Sequence, residues 1–128
     1  MMDSIQQNVV VRKLAPEVFR QRFVIEGYFD REIRRDDIEV FFREVCKELG
    51  LRAYGDPIIF TPGTMGKEEN QGFDAFIPLI DSGISLYVWS KAKFFSAVFF
   101  TCKGFDEAKA SAFTKKFMNA GDCETFAF

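Results

Sequence analysis

A chain of 128 residues that is 48% hydrophobic and 28% charged has the composition of one folded domain, long enough to bury a core without disulfide staples. Seventeen basic against nineteen acidic residues leave a formal net charge of −2, which argues against nucleic acid as a main partner. Histidine is absent, so Ser-His-Asp triads, Cys-His dyads and His-ligated zinc sites are excluded.

Residues 1–18 carry no clear period and are expected to form an N-terminal arm ahead of a single domain spanning 19–128. Their opening Met-Met-Asp-Ser-Ile-Gln-Gln-Asn lacks the charged-then-apolar form of a signal peptide. The run Phe19 to Phe29 has strand composition. Asp36 and Asp37 are placed to cap a helix whose Ile38, Phe41, Phe42, Val45 and Leu49 share one face, with Gly50 ending it. Ile58 to Thr61 is expected to be extended. Pro62 to Gly72 is a polar, Gly-rich connection; its spacing is wrong for a phosphate loop, and no Ser or Thr follows Lys67.

Three strand-like runs follow, Phe73 to Ile80, Ile84 to Trp89 and Phe94 to Cys102. Asp81-Ser82-Gly83 and Ser90 to Lys93 separate them at hairpin length. Asp106 is placed to cap a second helix, with Ala110, Phe113 and Phe117 inward and Asn119 to Gly121 at its end. Cys123 to Phe128 is a candidate edge strand. The order predicts an α+β fold, a two-layer sandwich of a largely antiparallel sheet with two helices on one face. No apolar run approaches the roughly 20 residues of a membrane span. The cysteines, Cys46, Cys102 and Cys123, are odd in number and form no Cys-x-x-Cys pair. That count argues against a disulfide framework or a structural metal and predicts a reducing cytoplasm.

Chemistry concentrates in the last hairpin. If Trp89 pairs with Phe94, Tyr87 faces Ser96 and Ser85 faces Val98, because opposed residues of an antiparallel pair project to one side. Tyr87, Ser85, Ser96 and Cys102 then share a face, with Ser82 opposite Thr101. A hydroxyl, a phenol and a thiol are thus expected at one end of the hairpin. The alternative is a tight turn beside a half-buried polar pair. Cys46 falls on the first helix as a core or boundary thiol. Arg31, Arg34 and Arg35 fit a locally paired loop, and Trp89 fits a cover over the sheet as well as a ligand contact.

The stretch Asp81-Ser82-Gly83-Ile84-Ser85-Leu86-Tyr87-Val88-Trp89, running without gaps into Phe100-Thr101-Cys102, resembles the bacterial and archaeal S-adenosylmethionine decarboxylases. That family carries Glu-Ser-His-x-Ser-Ile-His-Thr-Trp followed by Phe-Thr-Cys, and the spacing from Ser82 to residues 87, 89 and 102 matches. Arg22 to Tyr28 is similar to the family's opening strand, and Phe60-Thr61-Pro62 to its Phe-x-Pro segment. The likeness spans roughly Phe19 to Phe117.

The resemblance implies a self-cleaving proenzyme that serves polyamine (spermidine) synthesis. The serine attacks its own preceding carbonyl, the ester eliminates, and the new N-terminus becomes a pyruvoyl group that draws electrons from the substrate. By that likeness Asp81-Ser82 is the cleavage site, Ser82 the pyruvoyl source and Cys102 the proton donor. Glu26 is a nearby acid, Tyr87 stands at the processing position, and Trp89 and Ser85 contact an S-adenosylmethionine-like substrate. No metal is implied. The family's glutamate is Asp81 here, and its two histidines are Gly83 and Tyr87. A phenol with a pKa of about 10 is a poor base at neutral pH, so processing is expected to be impaired. Two functions stay open: a pyruvoyl-dependent decarboxylase, or an unprocessed homologue that binds a small molecule or regulates a partner. Seventeen Phe in a two-layer domain also predict a homodimer through a leftover apolar face.

Overall fold

The computed structural model describes residues 14–67 and 71–128; most of the expected arm, residues 1–13, lies outside the described residues, as do residues 68–70. Six strands form one antiparallel sheet: β1 (Gln21–Tyr28), β2 (Ile58–Phe60), β3 (Gly72–Leu79), β4 (Ser82–Trp89), β5 (Phe94–Thr101) and β6 (Cys123–Ala127), in the order β2-β3-β4-β5-β1-β6. Two helices, α1 (Arg35–Leu49) and α2 (Glu107–Met118), pack on one face, so the α+β sandwich is the observed fold. No helix among the described residues is long and apolar enough to cross a membrane.

Helix α1 exists because its apolar residues recur on one side: Ile38, Phe41, Phe42, Val45 and Leu49 are all buried, and Cys46 with them. Its start differs from expectation. Arg34 is the N-cap, and Asp37 sits at the third helical position, where its carboxylate accepts the Arg34 N–H at 2.8 Å. The aspartates therefore support the first turn from within it, where negative charge meets the positive end of the helix. Gly50 closes the helix at φ 67°, a left-handed angle that costs glycine nothing. Asp106 caps α2 as expected, accepting from the Lys109 N–H at 3.1 Å.

The pleat sorts the rest. Ile84, Leu86 and Val88 of β4 join Phe95, Ala97 and Phe99 of β5 and Phe23 and Ile25 of β1 beneath the helices. Arg31 ties the helices together at one end. Its guanidinium pairs with Asp37 at 3.0 Å, donates to the Phe117 carbonyl at 2.9 Å and lies over the Phe117 ring. The arginine cluster is paired locally in part: Arg34 pairs with Glu32, whereas Arg35 donates to the distant Ile59 carbonyl. The opposite sheet face carries no helix among the described residues. On it Tyr28, Phe76, Tyr87, Phe100 and Phe126 keep more than a third of their surface exposed.

Phe41 is fully buried and touches Phe42, Phe113 and Phe117 with ring centroids 5.3–5.9 Å apart. Phe41→Ala is expected to cost about 3–5 kcal/mol by urea denaturation. A loss below about 1 kcal/mol would show that these rings repack without it.

Candidate functional site

The β3–β4 connection is tighter than the sequence indicated. Leu79 pairs with Ser82, so the turn is Ile80-Asp81, and Ser82 and Gly83 already belong to β4. Asp81 carries the bend at φ 56°, a left-handed conformation uncommon for a residue with a side chain. Ser82 follows directly, and its Oγ accepts the Cys102 N–H at 2.8 Å. That bond joins the start of β4 to the residue just past β5. A donor aimed at the hydroxyl oxygen leaves the hydroxyl proton free and favours the oxygen when negative charge develops on it.

The register is the expected one, with Trp89 on Phe94, Tyr87 on Ser96 and Ser85 on Val98. Cys102 is the exception to the face assignment. Strand β5 ends at Thr101, and Cys102 lies in the bend that follows, where the Thr101 hydroxyl donates to the Lys103 carbonyl at 2.7 Å. Cys102 therefore leaves the Tyr87 face and lines a cleft with Ser82. The cleft, of about 250 Å³, is bounded by Leu51 and Arg52, by Leu79 to Ser82 and by Cys102 and Lys103. Its outer wall is held by backbone pairing: the Ile80 N–H donates to the Arg52 carbonyl, the Tyr54 N–H to the Pro78 carbonyl, and Ala53 bridges Leu79. The Lys103 ammonium donates to the Gly50 carbonyl at the end of α1.

The remaining candidates lie elsewhere. Five residues along a strand is an odd number, so Tyr87 projects to the face opposite Ser82 and about 16 Å farther along. The expected gathering of hydroxyl, phenol and thiol thus reduces to hydroxyl and thiol within one chain. On the helix-free face, cross-strand pairing lines up Asp74, Tyr87, Ser96, Glu26 and Glu124 in one row across five strands. Ser96 donates to the Glu26 carboxylate at 2.9 Å. Ser85 lies in the next row between Phe76 and Val98, and Trp89 packs on Phe94 with centroids 5.4 Å apart. At Gly83 a Cβ would come within 2.4 Å of the Phe76 ring, so Phe76 fills the space that a side chain would need. Among the described residues no group of three or more His, Cys, Asp or Glu side chains is placed to hold a metal.

Arg52 and Lys103 were absent from the sequence-based candidates. Arg52 reaches the cleft through a pairing of distant segments that no local motif marks, whereas Lys103 directly follows Cys102.

The fold has a solved counterpart. The crystal structure of the adenosylmethionine decarboxylase from Aquifex aeolicus VF5 superposes with a TM-score of 0.71 over 87% of this chain and 89% of that one, at 15% sequence identity. The chain shares that protein's fold. No family model and no curated protein sequence matches it.

The three thiols differ in surroundings. Burial pushes Cys46 up to about 11, and burial also raises Cys123, eased by Lys115 and reinforced by Asp122. Cys102 is half-buried and opens on the cleft. In native protein at mildly alkaline pH, iodoacetamide should alkylate Cys102 roughly tenfold or more faster than Cys46, measured by peptide mass mapping. The reverse order would show that the cleft is closed to small reagents.

Stability should register Cys46 as well. The unfolded thiol ionises near its ordinary 9.0 and the folded one near 11, so its contribution is complete below pH 9 and is lost as pH rises towards 11. The urea midpoint of wild type should fall more across that window than that of Cys46→Ala; parallel curves would contradict the burial effect.

Proposed function

We propose that the chain is an S-adenosylmethionine decarboxylase-like protein whose self-cleavage between Asp81 and Ser82 is impaired. The observation that carries this reading is Ser82 itself. It follows a left-handed Asp81 in a two-residue turn, and its hydroxyl is hydrogen-bonded by the Cys102 N–H, on a fold shared with an adenosylmethionine decarboxylase.

The residues fit a pyruvoyl group at position 82, because the serine oxygen, the preceding carbonyl and a backbone donor are adjacent there. Such a group, once formed, supplies an electron sink for a carboxylate leaving an amine-bearing substrate. In this reading the Cys102 thiol, on the same cleft, holds a proton at Sγ for return to substrate carbon. Glu26, fixed by Ser96, lies with Ser85 and Trp89 on the helix-free face, so these three would serve a substrate at Ser82 only from a second copy of the chain. An S-adenosylmethionine-like ligand in polyamine synthesis is the substrate class that goes with these roles.

Processing is the weak step. Serinolysis needs a group that takes the hydroxyl proton near neutral pH, and this chain has no histidine. Tyr87 stands on the opposite face, and Phe76 occupies the space beside Gly83. Losing positioned acid–base help costs about 10²–10⁴ in rate. The same observations favour the second reading, an uncleaved homologue that binds a small molecule or regulates a partner. Either way the three free thiols suit a reducing, cytoplasmic setting.

Intact mass of purified protein tests the reading. Wild type should be mostly full-length, and Ser82→Ala entirely so. Complete cleavage into residues 1–81 and 82–128 with a pyruvoyl terminus would overturn the impairment and leave an active decarboxylase. Cleavage gained by Tyr87→His would mean that position 87 reaches Ser82 from another copy, given their separation within one chain.

The helix-free face is the proposed contact between two copies, since it leaves Tyr28, Phe76, Phe100 and Phe126 uncovered. Light scattering across the micromolar range should give a dimer mass, shifted towards monomer by Phe100→Asp. A monomer in wild type would refute the assembly.

A further inference from the structure

The helix-free face has a charge pattern that decides how a second copy can lie on it. Alternation along the strands sets its outward side chains in cross-strand rows. One row carries the carboxylates Asp74, Glu26 and Glu124. Two residues along each strand, the next row holds Phe76, Val98, Val24 and Phe126 and is apolar except for Ser85. The row after that contains Arg22, the only cation at a strand position of this face.

These charges lack partners within the chain. Glu26 and Glu124 stand directly opposite each other on adjacent strands, where like charges are destabilising. Among the described residues neither pairs with a Lys or Arg; Glu26 holds the Ser96 hydroxyl alone. Arg22 is fixed in place, since its Nε donates to the Phe128 carbonyl at 2.9 Å and its guanidinium lies 5.4 Å from the Phe128 ring centroid. It meets no carboxylate among the described residues. Arg22 and Glu26 thus sit on one strand, with Val24 halfway between them.

A dimer that uses the same face twice has a two-fold axis lying in the interface, and aligned sheets keep their strands within about 30°. Two settings satisfy both conditions. An axis along the strands lays each row on its own copy, which sets the carboxylates of both copies in one band. An axis across the strands inverts each strand about a fixed row. Placed at Val24, it brings Arg22 of each copy opposite Glu26 of the other, and Glu124 stands beside that Glu26. Packed sheets lie about 10 Å apart, a gap that an arginine and a glutamate side chain span together. Charge therefore selects the second setting.

We propose that two copies pack these faces about a two-fold axis crossing β1 at Val24, with Arg22 of each copy seated between Glu26 and Glu124 of the other. The proposal rests on the assembly given above and adds its alignment.

Sedimentation of the full-length chain tests it. Arg22→Gln and Glu26→Gln keep size and polarity, and each should weaken the dimer about tenfold or more. The two together should weaken it no further than either alone, because each removes the same two ion pairs. Arg22→Glu and Glu26→Arg should each be monomeric where wild type is dimeric. Mixed in equal amounts, they should form a dimer with one copy of each, since that pairing restores both attractions. A wild-type dimer that the glutamine variants leave unchanged, or whose losses add, would overturn the alignment and leave the assembly standing. So would charge-reversed variants that dimerise alone, or a mixture that yields no mixed dimer. A monomeric wild type would overturn the assembly and the alignment together and assign the face to a different, basic partner.

Discussion

The pairing of Trp89 with Phe94 across the four residues Ser90 to Lys93 determines which side of the sheet every side chain of β4 and β5 occupies. Shifting β4 by one residue against β5 would exchange its faces, sending Ile84, Leu86 and Val88 out and Ser85 and Tyr87 under the helices. Burial of the first set beside Phe95, Ala97 and Phe99 holds the register in place. Each fully buried side chain of this size contributes roughly 1.5–3 kcal/mol, so a slipped register is unfavourable by several such units. The hydrogen bond from Cys102 to Ser82 is a consequence of that register, because it forms only when the end of β5 lies level with the start of β4.

Much of this was legible in the sequence, for a physical reason. The period of α1 shows because Phe41, Phe42 and Val45 must all face one sheet, and the hairpin register follows from turn length and alternation. Less legible were features that depend on a single residue's backbone. Nothing in Ile80-Asp81 announces a two-residue turn, since neither is a glycine or asparagine and Asp81 adopts its left-handed angle under the demands of the pairing on either side. Arg34 is an unusual cap, and its role appears only once Asp37 is seen accepting from its backbone. Cys102 looked like the last residue of β5 because Phe100-Thr101-Cys102 has strand composition, yet the chain bends one residue early.

The candidate site divides along the same line. The linear spacing of Ser82, Tyr87 and Cys102 suggested a cluster, but spacing carries no information about which side of a pleated strand each member occupies until the register is known. Ser82 and Cys102 meet across two strands, and Tyr87 belongs to a different surface with Glu26 and Ser96. Arg52 escaped notice because its place beside the cleft is owed to Ala53 bridging Leu79, a pairing of segments that share no pattern. The Phe76 ring over Gly83 is a contact of the same kind, visible only when the two strands are set side by side.

Strand order has a consequence for any break at Asp81-Ser82. The segment before the break contains β1, β2 and β3, and the segment after it contains β4, β5 and β6. Yet β1 lies between β5 and β6, and β3 lies against β4. A severed chain is therefore interlaced: the earlier piece threads a strand through the middle of the later one, and the two cannot part without dismantling three ladders of hydrogen bonds. The domain can lose a covalent bond at this two-residue turn and remain a single folded object.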